Sequence, residues 1–392
     1  MQIPEKSDLR NPTEKLIPIL FTSAGVLSLL IIRIALFDFD WGDYSMFLQP
    51  WVESYRKMTF IEGLGTKVGN YNHPYMYILN IIARINFPDL YLIKTVSVFF
   101  DFLLAYFVMK IVSLRTESIN IRIMAFLLTL AIPTIVLNSS MWGQCDSVYS
   151  AFAIGSVYFG LKGRSRHAYI FIALAFSFKL QTVFLLPIFP ILIFTGKISF
   201  KDCYLFFVVY IATLLPALIA GMPVDEVFSA YITQTSYYSS LNMNIANVWR
   251  FVGHVDYDSF RLVGLYVAGL AALGLIYFSY VNRSRLVNTV DFVRLAYLFA
   301  IMMPFLLPNM HDRYYFMADA LSLLVFLFDK RRWFVPLISI FCSYLAYTYL
   351  LMSGVVLFDY RIAAIALLAV IIVVLRDYVI SLSNKDMKHD PE

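Results

Sequence analysis

The chain has 392 residues, 60% of them hydrophobic and only 15% charged, with a mean hydropathy of +0.72 and a formal net charge of +5. Soluble domains are roughly 45–50% apolar, so an ordinary soluble fold is excluded, and three cysteines (Cys145, Cys203 and Cys342) supply neither a disulfide framework nor a metal-ligand spacing. The apolar runs are continuous rather than alternating, which excludes a membrane β-barrel and predicts an all-α polytopic membrane protein.

In chain order, candidate spans fall at 16–37, 91–113, 121–138, 146–161, 167–179, 182–196, 203–221, 262–281, 292–308, 314–328, 333–352 and 360–376. A span needs roughly 20 apolar residues or somewhat fewer, so the bundle is expected to hold about 12 helices, within about 10–13, some of them tilted or re-entrant. The first apolar segment is too long for a signal peptide, has no small-residue cleavage site, and is read as a retained span. No internal repeat or linker divides the chain, so residues 1–392 are read as one domain.

Basic residues sort to one side. Lys6, Arg10 and Lys15 precede the first span, "KGRSRH", "GKISFK", "NRSR" and "DKRR" follow the fourth, sixth, eighth and tenth, and Lys385 and Lys388 close the chain. Positive-inside logic makes that side cytoplasmic, and an even count of spans puts both tails there, 1–15 and 378–392. The loop asymmetry accounts for the net charge, so no nucleic-acid partner is expected. The other side carries two long loops, 38–90 and 222–261, and the turns "NSSMWGQCDS", "FKLQ", "NMHDRYY" and "GVVLFDYR". Within 38–90, "DYSMFLQPWVESYRK" places Met46, Phe47, Pro50 and Trp51 opposite Gln49, Glu53 and Arg56, the pattern of a helix lying at the interface. "HPYMYILNIIARINF" reads as a second such helix, and "EGLGTKVGNYN" between them as a turn-rich loop.

The polar residues of that outer side are the candidates for chemistry. Asp43, at the mouth of the first span, can act as a general base on an acceptor hydroxyl, as glycosyl transfer from a lipid-phosphate sugar requires. The plain alternative is a helix N-cap. In "NMHDRYYF", Arg313 offers a donor fork suited to phosphate, His311 adds a donor or a charge, and Asp312 orients one of them; an interfacial Arg–Asp pair is the alternative. Lys179 and Gln181 interrupt apolar sequence at membrane depth and are candidates on that ground, unless Lys179 snorkels to the surface. Trp142, Gln144 and Asp146 form a sugar-binding type of set, or else an interfacial anchor and a cap. Asn70, Asn72 and His73 in "GNYNHPY" are weaker candidates. Lys94 and Asp101, seven apart on one helical face, and Asp319 are read as structural pairs or pocket walls. There is no Gly-rich phosphate loop and no carboxylate pair with a metal shell.

Taken together, "GDYSMFLQPW", "GNYNHPYMYIL", "WGQCDS", "FKLQTVFLLPI" and "MHDRYYF", spread in this order over roughly residues 40–320, resemble the GT-C superfamily of membrane glycosyltransferases. The similarity is greatest to bacterial and archaeal mannosyltransferase-like proteins related to the enzyme that adds the second mannose of the GPI anchor, and more distant to the dolichyl-phosphate-glucose glucosyltransferases. The resemblance implies a GT-C type bundle and inverting transfer of a hexose from a polyprenyl-phosphate carrier, without a metal or other cofactor. It also implies a catalytic Asp43 within Gly42-Asp43-Tyr44, a donor-phosphate site at His311, Asp312 and Arg313, and a "WGQ" turn at 142–144. The expected partners are the polyprenyl-phosphate sugar, a glycan, lipid-linked or protein acceptor, and the bilayer. The expected location is a multi-pass membrane protein acting on the extracytoplasmic face. Residues 333–376 show no motif of that family. The competing classes are a transporter or flippase of lipid-linked saccharides, which usually shows inverted repeats and helices broken at the midplane whereas here the polar residues gather at one surface, and a polysaccharide polymerase or ligase, for which outer-loop arginines are few.

Overall fold

A computed structural model describes residues 12–229, 240–253, 255–351 and 354–383, with side chains from residue 17 onward. Lys6, Arg10, Lys385 and Lys388 lie outside the described residues, as does the Lys15 side chain.

The architecture is all-α. The first helix, α1, runs Pro12–Ile34, and three short helices follow before the second long one: α2 Gln49–Arg56, α3 Phe60–Leu64 and α4 His73–Ile82. The end of α3, Glu62–Leu64, overlaps the start of the stretch expected to be turns. Thr59 accepts from the Glu62 backbone N–H while the Glu62 carboxylate accepts from the Thr59 N–H, a reciprocal cap that starts a helix despite Gly63. Gly63 is needed there, because a Cβ would stand 2.8 Å from the Asn80 side chain of α4.

The long helix α5 covers Asp89–Val112, and α6 covers Ile119–Leu130. The span expected at 121–138 is bent instead of straight. It breaks after α6 and resumes as α7, Pro133–Val136, which runs on to Trp142 at 53° to α6. Pro133 explains the break, since it offers no N–H and crowds the preceding turn. The carbonyl of Leu130 at the break takes a hydrogen bond from Arg33 Nη2 of α1 at 2.7 Å.

Next come α8, Asp146–Leu161, and α9, Ser165–Phe178, packed face to face. Gly155 lets them close up, because a Cβ there would stand 2.7 Å from Phe171. The expected span 182–196 divides into a 3-10 turn, Leu180–Phe184, and α10, Ile188–Phe194; seven residues of helix cover only about 10 Å. Further helices are α11 Tyr204–Ile219, α12 Tyr257–Val281, α13 Thr289–Leu306, α14 Phe316–Phe328, α15 Phe334–Leu351 and α16 Tyr360–Ser383. A two-residue parallel pairing joins Asn242–Met243 to Met310–His311.

Among the described residues, seven helices are long and apolar enough to cross a membrane, or eight with the bent pair counted as one span, against the twelve expected. The helices α8, α9 and α14 are shorter, at 16, 14 and 13 residues. Burial divides the long ones: α13 is 83% buried and forms the centre, whereas α1 is 6% and α11 with its preceding turn 11% buried, so their Ile, Leu and Phe side chains face outward. A chain with such helices is a membrane protein. Turns 162–164, 283–285 and 330–332, which carry much of the basic charge, join the ends of α8/α9, α12/α13 and α14/α15 opposite to those that form the cavity described below.

Buried charges in the long helices are all engaged. Lys94 and Asp101 do not pair with each other. Asp101 takes Arg33 Nε at 3.3 Å and Ser139 Oγ at 2.6 Å, Lys94 turns to backbone carbonyls beyond α1, and Asp319 accepts from Thr134 Oγ1 at 2.6 Å.

Candidate functional site

Asp43 follows the end of α1 by way of Gly42, whose φ of +53° gives the turn that only glycine adopts freely. It precedes a π-turn, Tyr44–Leu48, yet its side chain makes no capping bond to that turn. One oxygen, Oδ2, accepts instead from Trp142 Nε1 at 2.9 Å and from Gln144 Nε2 at 2.5 Å. These donors are delivered by the segment that Pro133 tilts away from α6. Gly143 between them is left-handed at φ +76°, which lets alternate side chains converge on one point. Tyr71 Oη donates to Gln144 Oε1 at 3.0 Å, which fixes the amide with its nitrogen toward Asp43.

A second carboxylate gathers the cations. Asp146 is the first residue of α8, and Lys179 ends the antiparallel α9, so the hairpin brings them together: Lys179 Nζ lies 2.5 Å from Asp146 Oδ1. Arg313 Nε stands 3.5 Å from Asp146 Oδ2, and Asn138 Nδ2 donates to the same oxygen at 2.8 Å. The Arg313 guanidinium lies over the Trp142 ring, 5.2 Å from its centroid. Two cations against one buried carboxylate leave surplus positive charge beside Asp43.

Both halves open on a single cavity of about 610 Å³. Its polar wall includes Asp43, Asn70, Gln144, Lys179, Gln181, His311, Asp312 and Arg313, and its apolar wall includes Phe47, Trp51, Phe184, Leu265, Leu307 and Leu350. Burial, with Arg313 and Lys179 alongside, holds His311 down to about 3. His311 is therefore a neutral imidazole at physiological pH and brings no positive charge. Burial pushes Asp312 up to about 7; Arg313 opposes the rise and Asp43 adds to it. Arg313 Nη1 stands 3.9 Å from Asp312 Oδ1, too long for a hydrogen bond.

The structure thus brings together Asp43, Trp142, Gln144, Lys179, Gln181, His311, Asp312 and Arg313, with Asp146 tying the cations from behind. Four expected site residues do not line this cavity: Asp146 stands behind it, and the other three lie elsewhere. Tyr44 packs against the cluster around Leu48 and Val52, Asn72 is a buried residue preceding α4, and His73 Nε2 hydrogen-bonds the Val227 carbonyl at 3.0 Å. Among the described residues no group of three or more His, Cys, Asp or Glu is arranged to hold a metal ion.

Sequence reasoning missed three residues. Tyr71 orients Gln144, and Asn138 braces Asp146. Arg261, one turn before Leu265 on α12, also lines the cavity, and unlike Lys179 and Arg313 it has no ion-pair partner among the described residues. Its i, i+4 spacing from Leu265 was the available signal.

No protein-family model matches this chain, and no curated protein does.

Proposed function

We propose that this chain is an inverting hexosyltransferase of GT-C type, moving mannose or glucose from a polyprenyl-phosphate carrier to an acceptor hydroxyl at the extracytoplasmic membrane face. The observation that carries the reading is Asp43. Its carboxylate lines a cavity walled by cations on one side and by apolar side chains on another, and both described hydrogen bonds go to Oδ2. Oδ1 accepts from no described residue and is left to take a proton.

The chemistry then follows. The acceptor oxygen attacks the anomeric carbon, and its proton passes to Asp43 as the new C–O bond forms. On the opposite face the bond from that carbon to the phosphate oxygen breaks, and the electron pair leaves with the carrier phosphate. The leaving phosphate gains one negative charge as Asp43 loses one, so the net charge of the filled cavity does not change. Arg261, with the surplus charge of Lys179 and Arg313 around Asp146, suits that phosphate, since charge-assisted bonds from guanidinium to phosphate are among the strong ones. Neutral His311 can donate a hydrogen bond to phosphate or sugar oxygens, as can Asp312 when it carries a proton. Trp51 offers an aromatic face to a sugar, and the apolar wall suits the first isoprenoid units.

This reading keeps the positive-inside orientation, with both tails cytoplasmic. It keeps about 12 crossings, the short buried helices completing the bundle within a locally thinned or tilted arrangement.

The test is to incubate membranes carrying the full chain with polyprenyl-phosphate [14C]mannose or [14C]glucose. Transfer of label to a product no longer attached to the carrier supports the reading. Label that crosses the bilayer still joined to the carrier identifies a flippase and overturns it.

A further inference from the structure

Lys94 lies outside the cavity, and no step above uses it. It is on α5 and completely buried, and its ammonium donates to three backbone carbonyls: Leu36 at 3.0 Å, Phe37 at 2.9 Å and Phe39 at 2.6 Å. An ammonium has three N–H donors, so all are committed to one short segment, the turn leaving the negative end of the α1 dipole. That segment carries Asp43 four residues later.

The stem of the same side chain lies against the other half of the Asp43 mooring. A Cβ at Gly143 would stand 3.7 Å from both Cγ and Cε of Lys94, ordinary packing distance. Gly143 separates Trp142 from Gln144, the two donors to Asp43 Oδ2. One buried side chain is therefore bonded to the segment that presents the carboxylate and runs beside the turn that presents its donors. A buried ammonium could satisfy itself with any carbonyls at hand, but here the three come from residues 36–39 alone.

We propose that Lys94 is a positioning residue: it fixes the 36–39 turn against the Trp142–Gln144 turn and so sets the Asp43 carboxylate in the cavity, without itself touching substrate. The proposal rests on the reading of Asp43 as the base. Misplacing a base by about 1 Å costs roughly a hundredfold in rate, so the effect belongs in turnover and not in donor affinity.

The experiment is a double-mutant cycle on the full chain in membranes, with polyprenyl-phosphate [14C]mannose as the probe and rates normalised to folded protein. Lys94→Met is expected to lower kcat roughly ten- to hundredfold with donor KM within about twofold, and Lys94→Arg to recover part of the loss. The decisive readout is the combination. Lys94→Met with Asp43→Asn should be no slower than Asp43→Asn alone, because a base already removed cannot be misplaced. If the two losses multiply, or if Lys94→Met turns over like the wild type while Asp43→Asn does not, the Lys94 proposal fails and the base assignment stands. If Asp43→Asn alone keeps wild-type turnover, the base assignment fails and this proposal falls with it. Should Lys94→Met not accumulate folded, Lys94→Gln is scored by the same criteria.

Discussion

Lys179, which ends α9, and Asp146, which begins α8, meet at 2.5 Å between Nζ and Oδ1, with almost no solvent on either side chain. Arg313 shares that carboxylate from the loop between α13 and α14. Asp146 is thus the one anion holding two cations at the wall of the cavity, and its removal is predicted to act on folding first. Asp146→Asn takes the paired carboxylate from Lys179 and leaves Arg313 with Asp312 at 3.9 Å, and breaking a buried pair in this way costs about 3–5 kcal/mol. Thermal unfolding in detergent should register the loss; an unchanged melting temperature would show that the cations are hydrated and not held by Asp146.

Arg261 makes the opposite prediction. It lines the same cavity but has no ion-pair partner among the described residues, so Arg261→Gln should leave the melting temperature within a degree or two, as surface substitutions away from partners do. If it meets the donor phosphate, donor KM should rise roughly ten- to hundredfold, matching about 1.5–3 kcal/mol for a hydrogen bond to a charged group. Steady-state kinetics against donor concentration separates the two. A lower kcat at unchanged KM would place Arg261 elsewhere in the mechanism.

His311 and Asp312 are adjacent and predict opposite pH dependences of stability. His311 is held down to about 3 from 6.5 in the folded state, so the unfolded chain binds more protons in that window and stability falls as pH drops through it. Asp312 is pushed up to about 7 from 3.8, so the folded chain binds more protons and stability falls as pH rises through that window. Between about 4 and 6.5 the two slopes oppose each other. His311→Gln should therefore expose a melting temperature that declines with rising pH, and Asp312→Asn one that declines with falling pH. Melting curves at pH 4.5, 5.5 and 6.5 (roughly spanning that window) check this; parallel curves for both variants would contradict it.

The Asp43 mooring can be weakened one strand at a time. Trp142→Phe removes the Nε1 donor and Gln144→Leu the amide donor. Each should cost turnover by about tenfold, in line with about 1.5 kcal/mol for a bond to a carboxylate, with little effect on donor KM. Gln144→Glu should be worse than Gln144→Leu, because it sets a second carboxylate against Asp43 and discards the amide that Tyr71 orients.

Much of the site was legible because polar side chains stand out in a chain this apolar. Asp43, Trp142, Gln144, Lys179 and the His311–Arg313 run each interrupt or border apolar sequence, and hydropathy alone marks them. Their convergence was not legible. It depends on the break at Pro133, the left-handed Gly143 and the α8–α9 hairpin, none of which changes the hydropathy profile. Tyr71 was invisible as one of 27 tyrosines, since only its distance to Gln144 distinguishes it. Lys94 and Asp101 illustrate the limit of face-sharing arguments: seven residues apart on one helix, they turn to different partners because α1 and the Ser139 turn offer closer ones. The helix α3 was readable from Thr59 and Glu62, a capping pair that its glycines obscured. Span number was the least legible feature, because short buried helices such as α8 and α14 are as apolar as the long ones and hydropathy does not reveal where a helix ends.

Asp43 is where the account is most exposed to measurement. Asp43→Asn keeps the size of the side chain and an oxygen for Trp142 or Gln144 but removes the proton acceptor. Turnover of polyprenyl-phosphate [14C]mannose or [14C]glucose, measured beside equilibrium binding of the same donor, should fall by about 10²–10⁴-fold while binding stays within about twofold. A variant that transfers hexose at a rate within threefold of the wild type (roughly 0.7 kcal/mol) would remove Asp43 from the chemistry and the account with it.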